Sequence, residues 1–331
     1  MSADRRGADA LAAPAQVVDG VAAGDPRSLA RAVSWLEADD PRGAEVLARL
    51  RRGAGGAAPA HLIGITGAPG SGKSTLVDRY IHHQRHHDRR VAVVAVDPTS
   101  PFSGGAILGD RIRMTRWHAD PGVFVRSMAT RGQLGGLAAG TLRVAGLLAM
   151  SGFDRVVIET VGVGQSEVDV VEVADTTVLL LAPGAGDGIQ AVKAGVMEIA
   201  DVFVVAKADL PGADRLQREI RASLALAPAA EGDAWSPPIV RASTTDEAGA
   251  EALASALEAH RAHLAAGGGG GFAERRRRRV RAELAAAVRG RVRGALFEHG
   301  EAWVDAVLAG ERSAEQAVSG LMAHLAVTEQ A

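Results

Sequence analysis

Residues 64–80 read GITGAPGSGKSTLVDRY. The lead-in is short and apolar, glycine recurs at 67, 70 and 72, and a helical pattern begins at Lys73. The stretch therefore predicts a strand, a glycine-rich turn and a helix in succession. Gly67, Ala68, Pro69, Gly70, Ser71, Gly72, Lys73 and Ser74 satisfy G-x-x-x-x-G-K-[ST], with Thr75 next in line. That spacing carries a mechanism. Glycines let backbone N–H groups converge on phosphate oxygens, and the following helix offers its positive N-terminus. Lys73 reaches the β and γ oxygens, and the Ser74 hydroxyl can ligate Mg2+.

Outward from this turn, seven short apolar runs lie between Leu62 and about Ser243: LIGIT, VAVVAV, VFVRSM, RVVIET, TTVLLLA, VFVVA and PIVRAS. They lack polar alternation and are separated by helix-length segments, the pattern of strands covered on both faces. The expected fold is α/β, a doubly wound, mostly parallel sheet of P-loop type with helical extensions at both ends. Residues 1–58 form the first extension. Asp25 is placed to cap PRSLARAVSWLEA, where Leu29, Ala32, Val33 and Leu36 recur at helical spacing, and GAEVLARLRR follows Pro41. Glycine and alanine at 53–60 read as a linker into a nucleotide domain over 59–265. After the helix-like DEAGAEALASALEAHRAHLAA, the glycine run at 267–271 reads as a hinge or flexible linker. Residues 266–331 make the second helical extension.

Composition narrows the function classes. The 331 residues are 47% hydrophobic with a net charge of -2, enough for a sizeable core and without a global pull toward nucleic acid or anionic membrane. There is no cysteine, which excludes disulfides and thiolate metal sites. No stretch reaches the length of a membrane span, and charges and a proline interrupt the amino end, so a soluble, cytoplasmic protein is expected. The arginine run at 275–279 has no aromatic residues interleaved and is flanked by Glu274 and Glu283, so it reads as a solvated or partner-facing helix segment. Only three lysines occur, Lys73, Lys193 and Lys207, and asparagine is absent.

Two further motifs extend the phosphate site. VVIETVGVG is an apolar strand ending in Glu159, where a carboxylate would lie near the magnesium. Gly162 can offer its N–H to the γ-phosphate. Val163 stands where a Ras-type GTPase carries the glutamine that orients the attacking water, so slow basal hydrolysis is expected. VFVVAKADL ends another strand. There Asp209 can accept hydrogen bonds from guanine N1–H and its 2-amino group, while the stem of Lys207 packs over the base. Ala206 occupies the place of the usual asparagine of Asn-Lys-x-Asp, which weakens the expected hold on guanine.

AVDPTSPFSGGAILGDRIRM (95–114), ETVGVGQSEVDV (159–170) and LAPGAGDGIQAVKAG (181–195) resemble the signature segments of the MeaB/ArgK family, P-loop GTPases that act as chaperones of adenosylcobalamin-dependent acyl-CoA mutases. The similarity covers essentially the whole chain. It implies GTP/GDP and Mg2+ as ligands, with Asp97 and Asp110 as switch carboxylates toward the metal beside Ser74 and Glu159. Ser243 and Thr244 would join the nucleotide contacts. Residues 184–193 match a third switch loop through which these GTPases communicate with the mutase, so Gln165, Asp187, Gln190 and Lys193 would face the partner. The carboxyl-terminal extension would mediate homodimerisation. The protection and cofactor loading of an acyl-CoA mutase, commonly methylmalonyl-CoA mutase, is the implied task.

Two other readings compete. HHQRHH at 82–87 places His82/His86 and His83/His87 at helical i, i+4 spacing, which a nickel-insertion maturation GTPase could use. Those proteins rely on cysteine ligands, however, and a polar helix face is the simpler reading. An ATP-dependent kinase or ATPase is opposed by the guanine chemistry of Asp209.

Overall fold

A computed structural model describes residues 13–53, 60–97, 114–129, 139–160, 166–184, 197, 200–226, 235–243 and 247–328. Seven strands form one sheet: β1 (His61–Gly67), β2 (Val91–Asp97), β3 (Val123–Ala129), β4 (Arg155–Glu159), β5 (Thr176–Leu181), β6 (Val202–Ala206) and β7 (Ile239–Ala242). Each answers to one of the seven apolar runs. Their order is β3-β2-β4-β1-β5-β6-β7, and all six pairings are parallel. The expected sheet was mostly parallel; the observed one is wholly so. Since the chain runs outward from β1 in both directions, β1 ends at the topological switch point, where α/β sheets bind their ligands.

Among the described residues three helices precede the sheet: α1 (Pro14–Ala22), α2 (Pro26–Glu37) and α3 (Pro41–Gly53). Asp25 caps α2 as its sequence predicts, accepting from Arg27 N and Ser28 N at 3.3 and 2.9 Å and from the Ser28 hydroxyl at 2.6 Å. The expected linker after α3 lies almost wholly outside the described residues. Within the sheet follow α4 (Lys73–His86), α5 (Ala139–Ala149), α6 (Ser166–Val173), α7 (Ala213–Leu226) and α8 (Ala248–Ala265). One face of the sheet packs Ile63, Ile65, Val178 and Leu180 against Val77, Tyr80 and Ile81 of α4 and Leu253 and Leu257 of α8. On the other, Leu179, Leu181, Phe203 and Val205 meet Leu216 and Ile220 of α7. Burial of alternate residues on opposite faces explains why the strands read as continuous apolar runs.

The amino-terminal edge of the sheet repeats one device three times. Asp154, Asp175 and Asp201 each immediately precede a strand. Their N–H groups donate to the carbonyls of Arg90, Leu62 and Thr177 on the neighbouring strand segment, at 2.9, 2.8 and 2.9 Å. In return, the N–H of each of those residues donates to Oδ2 of the same aspartate, at 2.8, 2.9 and 2.8 Å. The carboxylate thus supplies an acceptor at the point where the parallel ladder begins. Its second oxygen, Oδ1, meets an arginine: Arg89 for Asp154 at 3.2 Å, Arg279 for Asp175 at 2.7 Å and Arg275 for Asp201 at 3.0 Å.

Two of those arginines correct the sequence reading. The run 275–279 lies in α9 (Gly271–Leu308), the helix before α10 (Ala314–Thr328). Arg279 is buried, and its Nε also donates to Val173 O at 2.7 Å. Arg278 donates to Ala174 O at 3.1 Å. Only Arg276 and Arg277 are exposed, so the run is mainly a set of anchors to the sheet rather than a solvated face. The glycine run differs from expectation too. Gly268–Gly270 is a 3₁₀ turn leading directly into α9, with left-handed φ at Gly267, Gly269, Gly270 and Gly271 (94, 57, 79 and 64°). A Cβ at Gly268 would fall 2.1 Å from the His263 ring. Glycine is therefore needed for a defined turn, not for slack.

The chain divides into two compact units, Met1–Arg279 and Val280–Ala331. No helix among the described residues is long and apolar enough to cross a membrane.

Removing Arg279 would strand the buried Asp175 carboxylate. Arg279→Ala is expected to lower unfolding stability by about 3–5 kcal/mol, whereas Arg276→Ala, at an exposed position, should stay within about 0.5 kcal/mol. Urea denaturation of the two variants checks this; equal small effects would return the whole run to solvent.

Candidate functional site

The phosphate-type turn connects β1 to α4 at the carboxyl edge of the sheet. At Gly67 (φ 143°) a Cβ would stand 2.2 Å from Leu180 O of β5, so only glycine lets β1 leave the sheet here without separating the two strands. Gly72 (φ 105°) precedes the first residue of α4 in a left-handed conformation. The Lys73 ammonium lies inside the turn, donating to Gly67 O at 2.7 Å and Ala68 O at 3.0 Å. Ser71 is buried, and among the described residues its hydroxyl has no hydrogen-bond partner. A buried unsatisfied hydroxyl is costly unless something else engages it, and beside a convergent backbone turn an oxyanion is the fitting group.

Ser74, one residue into α4, donates its hydroxyl to Glu159 Oε1 at 2.6 Å. Both side chains are buried, and Glu159 is the last residue of β4, adjacent to β1. A hydroxyl and a carboxylate held together in this way are hard oxygen donors, suited to Mg2+. Directly beyond, Thr160 continues the seam, its N–H donating to Ile65 O at 3.1 Å and its hydroxyl to Thr66 Oγ1 at 3.2 Å.

Two strands away, the 206–210 segment leaves β6 at the same edge. Lys207 takes a left-handed backbone conformation (φ 51°), unusual for a side-chain-bearing residue and common at functional turns. Leu210 N closes on Lys207 O at 2.9 Å. Asp209 is exposed, and the Ser243 hydroxyl donates to its Oδ1 at 2.7 Å; that bond is the main cause of a carboxyl pKa below the ordinary value. Asp209 is therefore an ionised acceptor at neutral pH. Ala206, in place of asparagine, is buried.

This loop is held from β7. Ala208 N donates to Ala242 O at 3.0 Å, and the Arg241 guanidinium donates to Ala208 O at 3.0 Å. Arg241 is itself fixed by Asp214 and, at 3.2 Å, by Gln217 of α7. Sequence reasoning missed Arg241, since no local motif marks a bond from one strand to the loop after another. It also missed Asp78. This α4 carboxylate receives Trp117 Nε1 at 2.8 Å and an ion pair from Arg116, fixing the 3₁₀ element Thr115–Ala119 against the helix that follows the phosphate turn.

The structure thus brings together Gly67, Ala68, Pro69, Gly70, Ser71, Gly72, Lys73, Ser74 and Thr75 with Glu159, and places Lys207, Asp209 and Ser243 along the same edge. Asp97 ends β2 at that edge. Asp110, Gly162, Val163, Gln165, Asp187, Gln190, Lys193 and Thr244 lie outside the described residues. The histidines at 82–87 lie on the far half of α4 and its C-cap. Among the described residues no group of three or more histidine, cysteine or acidic side chains is arranged to hold a metal.

Comparison with known proteins bears on the fold and the family. Over 95% of this chain and 98% of the other, the fold matches the crystal structure of an LAO/AO transport system kinase with a TM-score of 0.67 at 23% identity, a likeness of fold. In sequence, the chain is 46% identical over 254 residues to a protein named as a GTPase from Pyrococcus abyssi, covering 75% of this chain and 76% of that one. It is 39% identical over 184 residues to the mitochondrial methylmalonic aciduria type A homolog of Mus musculus, covering 55% of this chain and 44% of the relative. The family model described as methylmalonyl Co-A mutase-associated GTPase MeaB matches residues 29–301. The chain belongs to that family and is a guanine-nucleotide-binding, GTP-hydrolysing enzyme.

Proposed function

We propose that this GTPase is a chaperone that gates adenosylcobalamin delivery to an acyl-CoA mutase and protects the mutase, with methylmalonyl-CoA mutase as the first partner to test. The observation that carries this reading is the reach of the family match, residues 29–301, which extends past the nucleotide site into α2 and α9. A relative named for methylmalonic aciduria supports the same partner class.

In this reading the turn from Gly67 to Ser74 cradles the GTP phosphates, and Lys73 exchanges its carbonyl partners for β and γ oxygens. Ser74 and Glu159 would hold Mg2+, with Asp97 and Asp110 completing the acidic set; the metal would neutralise charge developing on the phosphates. Gly162 senses the γ-phosphate. With Val163 in the glutamine position, no side chain there orients the attacking water, so the free protein turns over slowly. Gln165, Asp187, Gln190 and Lys193 carry the nucleotide state to the mutase. Lys207 packs over guanine, Asp209 accepts from N1–H and the 2-amino group, and Ser243 and Thr244 complete the base site. Residues 266–331 would pair two copies of the chain, which suits the exposure of Leu284, Val288, Phe297 and Leu308 on α9. A cytoplasmic setting fits such a partnership.

Phosphate release from GTP is expected to be slow for the protein alone and to rise at least tenfold on addition of the cognate apo-mutase. Lys193→Ala should reduce the stimulated rate far more than the basal one. Fast turnover indifferent to any cobalamin-dependent mutase would overturn the chaperone reading.

Guanine selection gives a separate expectation. Asp209→Asn exchanges an acceptor for a donor and should move preference from GTP toward xanthosine triphosphate, read by competition binding. A wild type that binds ATP as well as GTP, with no xanthine shift in the variant, would remove Asp209 from base recognition.

Arg241 supplies the third. Arg241→Ala should weaken GDP binding several-fold by freeing Ala208 O, with kcat at saturating GTP unchanged and partial recovery in Arg241→Lys. A change in kcat with unaltered affinity would show that the guanidinium does not act through the base loop.

A further inference from the structure

Four histidines on the far half of α4 and its C-cap are left over from the nucleotide site, and they are not equivalent. In the first i, i+4 row, His82 Nε2 and His86 Nε2 face each other at 3.2 Å, with ring centroids 4.4 Å apart and planes at 78°. In the second row, His87 turns its Nδ1 to the carbonyl of His83 at 2.9 Å, closing on the helix backbone instead. The first row is the one in which two ring nitrogens stand within 3.2 Å of each other with no backbone group engaged between them.

That separation has a chemical meaning. Two imidazole nitrogens bound to one divalent ion at about 2.0–2.1 Å, with an angle between right-angled and tetrahedral, stand about 2.9–3.4 Å apart. The other nitrogen of His82 also has a partner. Glu247, just before α8, places Oε1 3.7 Å from His82 Nδ1. At that distance the carboxylate makes no direct hydrogen bond, but its charge on that side favours the Nδ1–H tautomer and leaves the lone pair at Nε2, the sense in which outer carboxylates orient metal-bound histidines. His86 then presents its Nε2 proton to that lone pair. When a cation arrives, the single ring proton of His86 moves through solvent from Nε2 to Nδ1, which frees the second Nε2 lone pair for the ion. His82 is 39% exposed and Glu247 80%, so the pair is open to solvent, and water can fill the remaining positions.

We propose that His82 and His86, oriented by Glu247, form a surface site for one imidazole-seeking divalent transition-metal ion of the zinc or copper class. It is distinct from the oxygen-donor position at Ser74 and Glu159. Mg2+ prefers oxygen ligands and keeps its water, so it would not compete for two imidazoles. The site joins the far end of α4 to the start of α8.

The test uses the full, tag-free chain saturated with GDP and Mg2+, so that the nucleotide site is occupied throughout. Zn2+ is titrated calorimetrically, and Cu2+ by tryptophan emission, because the Trp117 ring lies 6.3 Å from that of His82 and a bound copper ion would quench it. The expected result is one Zn2+ per chain, with affinity lowered at least tenfold in both His82→Ala and His86→Ala. Glu247→Gln should lower it several-fold, and His83→Ala and His87→Ala should remain within about twofold of wild type. The copper quench should vanish in the first two variants. All these positions are partly or fully exposed, so melting temperatures close to wild type are expected and serve as the folding control. No zinc binding by wild type, unaltered binding in His82→Ala, or equal losses from all four histidine variants would each overturn the proposal.

Discussion

Three aspartates at the start of the sheet hold the rest of the structure in place. A parallel ladder must begin somewhere, and an N–H near the start of a strand faces a neighbour that has not yet entered the sheet. Asp154, Asp175 and Asp201 resolve this by offering a carboxylate oxygen to that N–H while returning their own N–H to the same residue's carbonyl. Each reciprocal pair fixes the register of two strands at once. Since a slip of one residue would turn every side chain to the opposite face, the register of β1 against β5, and of β5 against β6, decides where Gly67, Leu180 and Ala206 come to lie.

The functional edge is therefore built from the far end of the same strands. Gly67 must meet Leu180 O without a side chain between them, and Ser74 can reach Glu159 only because β4 lies beside β1. The base loop is a less local construction. Its conformation rests on Ala242, Arg241 and Ser243 of the β7 segment, and through Arg241 on α7. With Ala206 unable to brace it from within, the loop takes its support from the neighbouring strand and helix.

Sequence made the local parts legible. All seven strands, the phosphate turn and the Asp25 cap follow from short-range periodicity and spacing, because each depends on residues within a few positions of one another. The residues 275–279 misled for the opposite reason: a charge run looks solvated until its partners are known, and Asp175 and Asp201 lie about a hundred and about seventy positions earlier. The glycines 267–271 misled because composition does not distinguish a slack chain from one bent into left-handed angles around a histidine ring. Arg241 and Asp78 carried no local signal at all. In retrospect a faint one did exist for the aspartates, as each stands directly ahead of an apolar run in FDRVVIE, ADTTVLLL and ADVFVV.

The anchoring of α9 has a mechanical consequence. Arg275 and Arg279 grip Asp201 and Asp175, the same carboxylates that start β6 and β5. A hydrogen-bonded strand is stiff along its length, so a load applied to the opening turns of α9, through Arg279, would not dissipate at the surface. It would enter the sheet at those two carboxylates and travel down β5 and β6 as along tie rods. One rod ends beside the phosphate turn and the other in the base loop. The opening turns of α9, through Arg279, and the nucleotide edge thus sit at opposite ends of shared tension members, and a guanidinium, with its several rigidly spaced donors, makes a stiffer coupling there than a lysine could.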